Sequence, residues 1–311
     1  MPLPLVYHPC YSPPFPNQHR FPMQKFALLY ERLLGLGLFA DNPPHHPIHF
    51  ADAEQSTVDY VALAHDEAYI DAFRRDAFTA PARRKLGLPW STAIMQRTFT
   101  AVRGTMLTAD LALEFGLAAH LAGGTHHAHH AEARGFCIFN DLAVTARYAL
   151  RRPDVDRVLI IDCDVHQGDG TARILSEDAD ALTVSVHCQA NYPFDKADSD
   201  YDIEVMKGCS SQTYLQLLDA YWPLLLDRHQ PDLVLYDAGV DVHREDALGL
   251  LALDDGGIFR RDTHVIEACL ERRIPVACVI GGGYMKDLRR LAEVHGIVHQ
   301  AAFALYRRFL E

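Results

Sequence analysis

The sequence predicts an α/β fold, a three-layer α/β/α sandwich around a central and mostly parallel sheet. Short runs of apolar and β-branched residues alternate along the chain with longer amphipathic stretches, which is the pattern of βα units. Most of the short runs are apolar throughout. Strands of that kind bury both faces, as they do in a parallel sheet packed between helices.

The elements follow from these two patterns. Six short apolar runs are predicted to be strands, at 3–7, 117–121, 157–161, 182–187, 233–236 and 276–280. Six longer amphipathic segments are predicted to be helices, at 24–34, 92–115, 140–151, 212–228, 258–272 and 286–309. The Pro- and His-rich segment 41–47 and the polar segment 79–89 are predicted to be surface loops.

Composition narrows the class of protein. A chain of 311 residues with 49% hydrophobic residues is expected to form one domain, residues 1–311, with a substantial core. No apolar run approaches the roughly 20 residues of a membrane span, and no secretory signal is recognised, so a cytoplasmic protein without a membrane partner is expected. The net charge of -12 argues against nucleic acid as a partner. The oligomeric state stays open.

Seven cysteines, an odd number without a C-x-x-C pair, are expected to be reduced thiols rather than disulfides or a zinc knuckle. The 18 histidines direct attention to the segments in which histidine stands beside glycine or aspartate.

The strand predicted at 157–161 continues into an acidic segment punctuated by glycine, DCDVHQGDG. Asp162, Asp164 and His166 are spaced by two residues, so an extended backbone places the three side chains on one side. Two carboxylates crowded in this way repel each other unless a cation lies between them. A divalent ion with oxygen and imidazole ligands, Zn²⁺ or alternatively Fe²⁺, is expected. The alternative is a solvated acidic loop with a capping aspartate.

Asp241 follows the strand predicted at 233–236, in YDAGVD. The carboxyl ends of parallel strands meet at one edge of the sheet, where ligands bind, so this carboxylate is a candidate third metal ligand. Two carboxylates and one histidine leave a position for water, as in catalytic zinc sites. By itself Asp241 is equally well explained as a turn residue.

His126 and His127 follow two glycines in GGTHHAHH, and the glycines permit the backbone to turn both imidazoles toward one site. Asp162 and Asp169 are two acids that can orient these rings. A histidine tract on its own is also consistent with weak, nonspecific metal binding.

Tyr284 ends the segment GGGY after the strand predicted at 276–280. The three glycines permit the backbone to approach a ligand and present the tyrosine hydroxyl at the strand end. A buried structural tyrosine is the alternative. The remaining histidines of the tract, His129 and His130, are assigned to a solvated rim.

Together these segments resemble the histone deacetylase family, which has the arginase-like deacetylase fold. The likeness is carried in order by GGTHHAHHAEARGFCIFND, VLIIDCDVHQGDGT, TVSVH, LYDAGVDVHREDALGLL and GGGY, with a weaker match in HRFPMQKF. The stretch GVDVHREDALGLLAL is most similar to the class IV branch and its bacterial relatives. The resemblance implies a parallel sheet of about eight strands.

The resemblance also implies a role for each residue that matches a family motif. These are Asp164, His166 and Asp241 as zinc ligands, His127 with Asp169 as general base and acid, His126 with Asp162 as electrostatic support, and Tyr284 as the hydrogen-bond donor to the scissile carbonyl. Zinc lowers the pKa of a bound water toward roughly 7, so a neighbouring neutral imidazole can accept its proton.

Family likeness further implies a narrow tunnel for a lysine-like chain and two features behind it. The tunnel residues are Gly135, Phe136 and Tyr192, with Leu248 at the rim. The residues that match a buried potassium site are Asp162, Asp164, His166, Ser185 and Val186. Arg20 is implied to lie near an internal channel. No residue in 79–89 matches the acidic rim residue that clamps the substrate backbone in class I members.

The sequence therefore predicts a zinc-dependent hydrolase that removes an acyl group, acetyl or longer, from acyl-lysine in a peptide or protein, or from a similar small acylated amine. The alternatives are an acetylpolyamine or other small-molecule amidohydrolase, an arginase-type ureohydrolase with two metal ions, and a non-catalytic binder of acyl-lysine. Leu248 stands where a polyamine-specific enzyme would favour an acidic gate.

Overall fold

The structure, a computed structural model, describes residues 2–40 and 43–311. Its strands are β1 (Leu5–Val6), β2 (Leu117–His120), β3 (Val158–Asp162), β4 (Ala181–Cys188), β5 (Tyr201–Val205), β6 (Leu233–Asp237) and β7 (Val276–Val279). They form one sheet in the order β1, β2, β7, β6, β3, β4, β5, and every neighbouring pair is parallel. The predicted α/β class is confirmed, with seven strands in the described residues where the resemblance implies eight.

Helices flank this sheet. They are α1 (Lys25–Gly35), α2 (Glu54–Val61), α3 (Glu67–Arg74), α4 (Ala80–Leu86), α5 (Thr92–Phe115), α6 (Asp141–Ala149), α7 (Asp169–Leu175), α8 (Ser211–His229), α9 (Asp255–Glu271) and α10 (Leu288–Phe309). Helix α5 packs on β2 and β7, α6 packs on β3, and α7 packs on β4. Strands β2, β3, β6 and β7 are buried at every residue, because layers of helix cover both of their faces.

All six predicted strands and all six predicted helices are present, with ends that differ by a few residues. The strand that sequence patterning missed is β5, an edge strand in which Asp202 and Glu204 are exposed. An edge strand pairs on one side only, so it tolerates polar residues and lacks the apolar run that identified the central strands.

The prediction that 79–89 is a loop is wrong, because the segment contains helix α4. Its start is capped by the Thr79 hydroxyl, which accepts a hydrogen bond from the Ala82 amide, and its end has Gly87 in the left-handed conformation. Three basic residues in seven obscured the apolar pattern of a helix this short. In the segment 41–47, Asp41 and Asn42 lie outside the described residues, and His45 pairs with Val6 in an isolated parallel bridge.

The sheet order creates a switch point between β3 and β6. From β3 the sheet continues outward to β4 and β5, whereas β6 lies on the opposite side of β3 and leads to β7. Connections that leave two adjacent strands in opposite directions open a crevice at the carboxyl ends of the strands, and ligands bind there. Asp162 and Asp237, the last residues of β3 and β6, are aligned in register. The loops that follow them line the crevice.

Arg261 of α9 holds these two strand ends together from behind. Its buried guanidinium donates hydrogen bonds to the carbonyl oxygens of Cys163 at 3.1 Å, Ala238 at 3.1 Å and Gly239 at 2.6 Å. The charge is paired with Asp262 at 2.8 Å. Because a guanidinium offers several donors in a rigid plane, one side chain fixes the backbone of both loops.

The described helices include none with the length and apolar character that crossing a bilayer requires. All seven cysteines are free in the structure.

Buried neutral histidines make the stability of the fold sensitive to acid. His65 is 1% exposed and accepts a hydrogen bond from the Asn140 amide at 2.8 Å. Burial lowers the pKa of His65 from 6.5 to about 3 and the pKa of His299 to about 4. The unfolded chain therefore binds protons at these residues before the folded chain does. Their contribution to stability is complete above pH 6.5 and is lost as the pH falls toward the folded values.

We predict that the free energy of unfolding, measured with urea, decreases between pH 6.5 and pH 4. In His65→Gln the free energy of unfolding should change less steeply with pH, by up to about 1.4 kcal/mol per pH unit, because one titrating group has been removed. Equal slopes in the two proteins would contradict this assignment.

Candidate active site

Asp164, His166 and Asp241 converge at the switch point. One oxygen or nitrogen atom from each lies within 4.8 Å of the others, and all three residues are buried. The His166 Nδ1 atom lies 3.0 Å from Asp164 Oδ1 and 3.1 Å from Asp241 Oδ2. Burial, together with the charge of Asp164, raises the pKa of Asp241 to about 7. Two carboxylates that disfavour each other's charge, with an imidazole nitrogen between them, fit a divalent cation of the zinc or iron type.

Backbone groups hold the two carboxylates in place. The amide of Gly282 donates to Asp164 Oδ2 at 2.7 Å, and the amide of Val165 donates to Asp241 Oδ1 at 2.9 Å. A Cβ atom at Gly282 would overlap the Oδ2 atoms of both Asp164 and Asp241. Gly282 is therefore required at this position because only hydrogen fits against the pair.

His126 and His127 face the same crevice, and each is held by a different aspartate. His126 Nδ1 lies 2.6 Å from Asp162 Oδ2, and His127 Nδ1 lies 2.7 Å from Asp169 Oδ1. The centroids of the two imidazole rings are 4.1 Å apart. The structure thus brings together the two pairs that the family resemblance implied.

The two imidazoles differ in basicity. Burial lowers the pKa of His126, but the charges of Asp162 and Asp164 outweigh burial and hold it well above its ordinary value. Burial and the charge of His126 lower the pKa of His127 to about 3, despite its hydrogen bond to Asp169. At neutral pH His127 is the neutral ring of the pair, so it is the one able to accept a proton.

The assignment of His129 to a solvated rim is wrong. His129 is partly buried, and its Nε2 atom lies 2.8 Å from Asp169 Oδ2. Asp169 is fully buried and also lies 3.4 Å from the Arg134 guanidinium. One carboxylate therefore orients two histidines, a second role that the sequence spacing did not reveal. His130 is exposed, as predicted.

Tyr284 completes the crevice. Its ring centroid lies 6.5 Å from that of His166 and 5.8 Å from that of Phe136. Burial and the charge of Asp164 raise the pKa of Tyr284 well above 10, so its hydroxyl keeps its proton and can donate. Asp246 fixes the segment, since its side chain accepts hydrogen bonds from the amides of Tyr284 at 2.7 Å and Leu248 at 2.8 Å.

A cleft of about 720 Å³ leads from the surface to these residues. The predicted tunnel residues all line it, together with parts of the site itself: Gly135, Phe136, Tyr192, Leu248, His127, His166 and Tyr284. Phe136 has a left-handed backbone with φ of 67°, and its amide donates to the Leu86 carbonyl of α4 at 2.9 Å. The helix that sequence patterning missed thus supports the tunnel wall.

The implied position of Arg20 is wrong. Arg20 is exposed and lines the outer cleft with Arg84 and Lys85. The internal cavity behind the site is instead lined by two other basic residues, Lys25 and Arg97. For the implied potassium site, Asp162 pairs in register with Ser185, and the Ser185 hydroxyl lies 3.0 Å from His187 Nδ1.

Three residues of the site were not recognised in these roles from sequence: Asp141 and Arg261, which are buried, and Asp246, which is partly buried. Asp141 accepts hydrogen bonds from the backbone of Gly124 at 3.1 Å and Thr125 at 2.7 Å, and so fixes the loop that carries His126. Each is one polar residue within an otherwise ordinary helix or turn, and it acquires its role only through contacts with residues distant in sequence.

Comparisons with known proteins show what the chain is similar to. Residues 19–299 match the family model described as the histone deacetylase domain. The chain is 46% identical to an uncharacterized protein of Picosynechococcus sp., over 98% of this chain and 100% of that protein. It is 31% identical to histone deacetylase 2 of Arabidopsis thaliana, over 88% of this chain and 71% of that protein. It is 28% identical to a probable deacetylase of Methanothermobacter thermautotrophicus, over 76% of this chain and 74% of that protein.

The fit of Gly282 against the carboxylates predicts a defect in metal binding. In Gly282→Ala the added methyl group displaces Asp164 and Asp241, and we expect the dissociation constant for zinc to rise at least about tenfold, which is about 1.4 kcal/mol. Competition with a chromophoric chelator measures this constant. Gly256→Ala is the matched control, since the nearest atom to its added Cβ is 3.7 Å away. Equal zinc affinity in both variants would show that Gly282 does not position the ligands.

Proposed function

This chain belongs to the histone deacetylase family, and we propose that it is a zinc-dependent hydrolase that removes an acyl group from the amine of an acyl-lysine side chain. The observation that carries this proposal is the convergence of two sets of residues on one crevice. Asp164, His166 and Asp241 form a buried cluster suited to a divalent ion. The ring of His127, which is neutral at pH 7, has its centroid 5.7 Å from the ring centroid of His166.

Zinc or, alternatively, iron(II) held by Asp164, His166 and Asp241 would act as a Lewis acid that makes water a nucleophile near neutral pH. His127 accepts the proton of the attacking water at Nε2, because its Nδ1 is engaged by Asp169. Tyr284 donates a hydrogen bond to the carbonyl oxygen as negative charge develops on it. Protonated His127 then donates to the leaving amine. The positive charge on His126 stabilises the negative charge that develops on the carbonyl oxygen and keeps His127 neutral beforehand.

The cleft supports an extended, mainly aliphatic substrate. Phe136 and Tyr192 both line it, and aromatic walls suit the methylene chain of lysine. The basic rim formed by Arg20, Arg84 and Lys85 disfavours a polycation, so an acetylpolyamine is a poorer substrate than an acyl-lysine peptide or a small acylated amine.

We place the catalytic unit in one domain, residues 1–311, since the family match covers most of it. Potassium bound beside Asp162 and Ser185 is proposed as a structural ion. A cytoplasmic location is supported by the seven free thiols, which suit a reducing compartment.

We predict that His127→Ala and Tyr284→Phe each lower kcat/KM for a fluorogenic acyl-lysine peptide by two orders of magnitude or more. The loss of one donor or base is worth about 2.7 to 4 kcal/mol in the transition state. Treatment of the parent protein with a chelator should abolish activity, and zinc should restore it. His130→Ala, at an exposed position of the same tract, should retain activity. Full activity in either of the first two variants would refute its assigned role.

One observation favours a second candidate, a hydrolase with two metal ions of the ureohydrolase type. His126, Asp162 and Asp237 form another buried cluster, in which one ligand atom from each residue lies within 4.8 Å of the others. Both carboxylate oxygens of Asp237 lack a hydrogen-bond partner among the described residues. Metal analysis by mass spectrometry separates the candidates. The deacylase proposal expects one transition-metal ion per chain, and two ions per chain with guanidine hydrolysis would establish the alternative.

A further inference from the structure

We propose that the internal cavity behind the candidate metal site receives the terminal carboxylate of the acyl chain, so that short dicarboxylic acyl groups such as succinyl are preferred substrates. This inference rests on the proposed function and deepens it by naming the acyl class. Water adds to the amide carbonyl, the C–N bond breaks, and the products are the free lysine amine and succinate.

The cavity begins where the substrate carbonyl is expected. His126, His127, Gly282 and Tyr284 line the near side, and Lys25 and Arg97 line the same space. Its volume is about 50 Å³, whereas one water molecule needs about 10 to 15 Å³. The space therefore suits a few atoms beyond the carbonyl and excludes a long acyl chain.

Arg97 of α5 is a buried cation without a partner. It is 8% exposed, and neither a hydrogen bond nor an ion pair joins its guanidinium to any residue in the described part of the chain; its Nε atom is fully enclosed. Its one close contact of note is with the Phe26 ring, whose centroid is 4.7 Å from Cζ. A buried guanidinium is costly unless an anion or water satisfies it.

Lys25 of α1 supplies a second positive charge near the carbonyl position. It is 2% exposed, and its Nζ atom donates to the Gly281 carbonyl at 3.1 Å. The same atom lies 5.9 Å from the centre of the Tyr284 ring. An ammonium has three donors, so two remain available to a ligand.

The carboxylates of the protein that lie nearby are already engaged. Asp141 lines the cavity, but its oxygens accept hydrogen bonds from Thr105, Gly124 and Thr125. Asp164 and Asp241 belong to the metal cluster. Within the described part of the chain, Lys25 and Arg97 form no direct ion pair with these carboxylates, and the two cations define an anion site at the end of the path proposed for the acyl tail.

A succinyl tail and a butyryl tail have the same length and differ at the last group. The carboxylate of succinyl can pair with Arg97 and Lys25, whereas the methyl group of butyryl leaves both cations unpaired in an enclosed space. Hydrogen bonds between charged groups are the strong class of such bonds, so the preference is expected to be large.

The test compares kcat/KM for succinyl-lysine and butyryl-lysine in the same peptide, with zinc-loaded protein. The parent should prefer succinyl, and the ratio of the two values should fall at least tenfold in Arg97→Met and in Lys25→Met. Arg97→Lys, which keeps the charge, should retain part of the preference. Arg103→Met is the matched control, because Arg103 lies on the same helix and also stacks on a ring, that of Tyr60 at 4.8 Å, away from the cavity.

Two further readouts do not require turnover. Arg97→Met should have a Tm equal to or above that of the parent, because no hydrogen bond is lost and an unpaired charge is removed. Succinate should raise the Tm of the parent more than butyrate or chloride does, and this difference should disappear in Arg97→Met.

The outcomes separate this inference from the proposed function. Cleavage of butyryl-lysine at a rate equal to or above that of succinyl-lysine, or a ratio unchanged in Arg97→Met, would overturn the inference and leave the deacylase intact. Succinate binding that depends on Arg97, in a protein that cleaves no acyl-lysine, would support the carboxylate site and reject the deacylase.

Discussion

The site depends on the crowding of carboxyl groups at the junction of β3 and β6. Asp162 and Asp237 end the two strands side by side, and Asp164 and Asp241 follow within a few residues. All four are buried. Like charges at this density are tolerated only where cations and hydrogen-bond donors face them. The imidazoles and the amides of Val165 and Gly282 face Asp162, Asp164 and Asp241. The oxygens of Asp237 have no hydrogen-bond partner among the described residues, and burial with the charge of Asp162 raises the pKa of Asp237 well above its ordinary value.

The same crowding gives the neighbouring histidines His126 and His127 different pKa values. His126 lies against Asp162 and close to Asp164, with 3.8 Å between its Nε2 atom and Asp164 Oδ1, so it retains its proton. His127 is displaced toward Asp169, where burial and the charge of His126 remove its proton. Environment rather than residue type therefore separates the electrostatic role proposed for His126 from the role of base proposed for His127. Behind the site, Lys25 and Arg97 place positive charge around the cavity that is proposed to receive the acyl tail.

The sequence predicted those features of the fold and the site that depend on local residue pattern. The apolar runs of β3, β6 and β7 identified the centre of the sheet. The two-residue spacing of Asp162, Asp164 and His166 predicted one cation shared by all three, but the structure places Asp162 in a separate cluster with His126 and Asp237. Features that arise from contacts between distant segments were missed. The second bond of Asp169, to His129, and the support of Phe136 by α4 leave no sequence signal. Likewise, Arg97 lies in a helix whose pattern gives no indication that its guanidinium reaches a cavity.

The proposed function requires one divalent ion among Asp164, His166 and Asp241, with His127 facing it. Anomalous diffraction at the zinc absorption edge, from crystals of the zinc-loaded protein, locates this ion. One strong peak per chain is expected, within coordination distance of Asp164, His166 and Asp241. A strong peak elsewhere with none among these residues, or no peak in protein that has retained zinc at one equivalent, would contradict the proposed function.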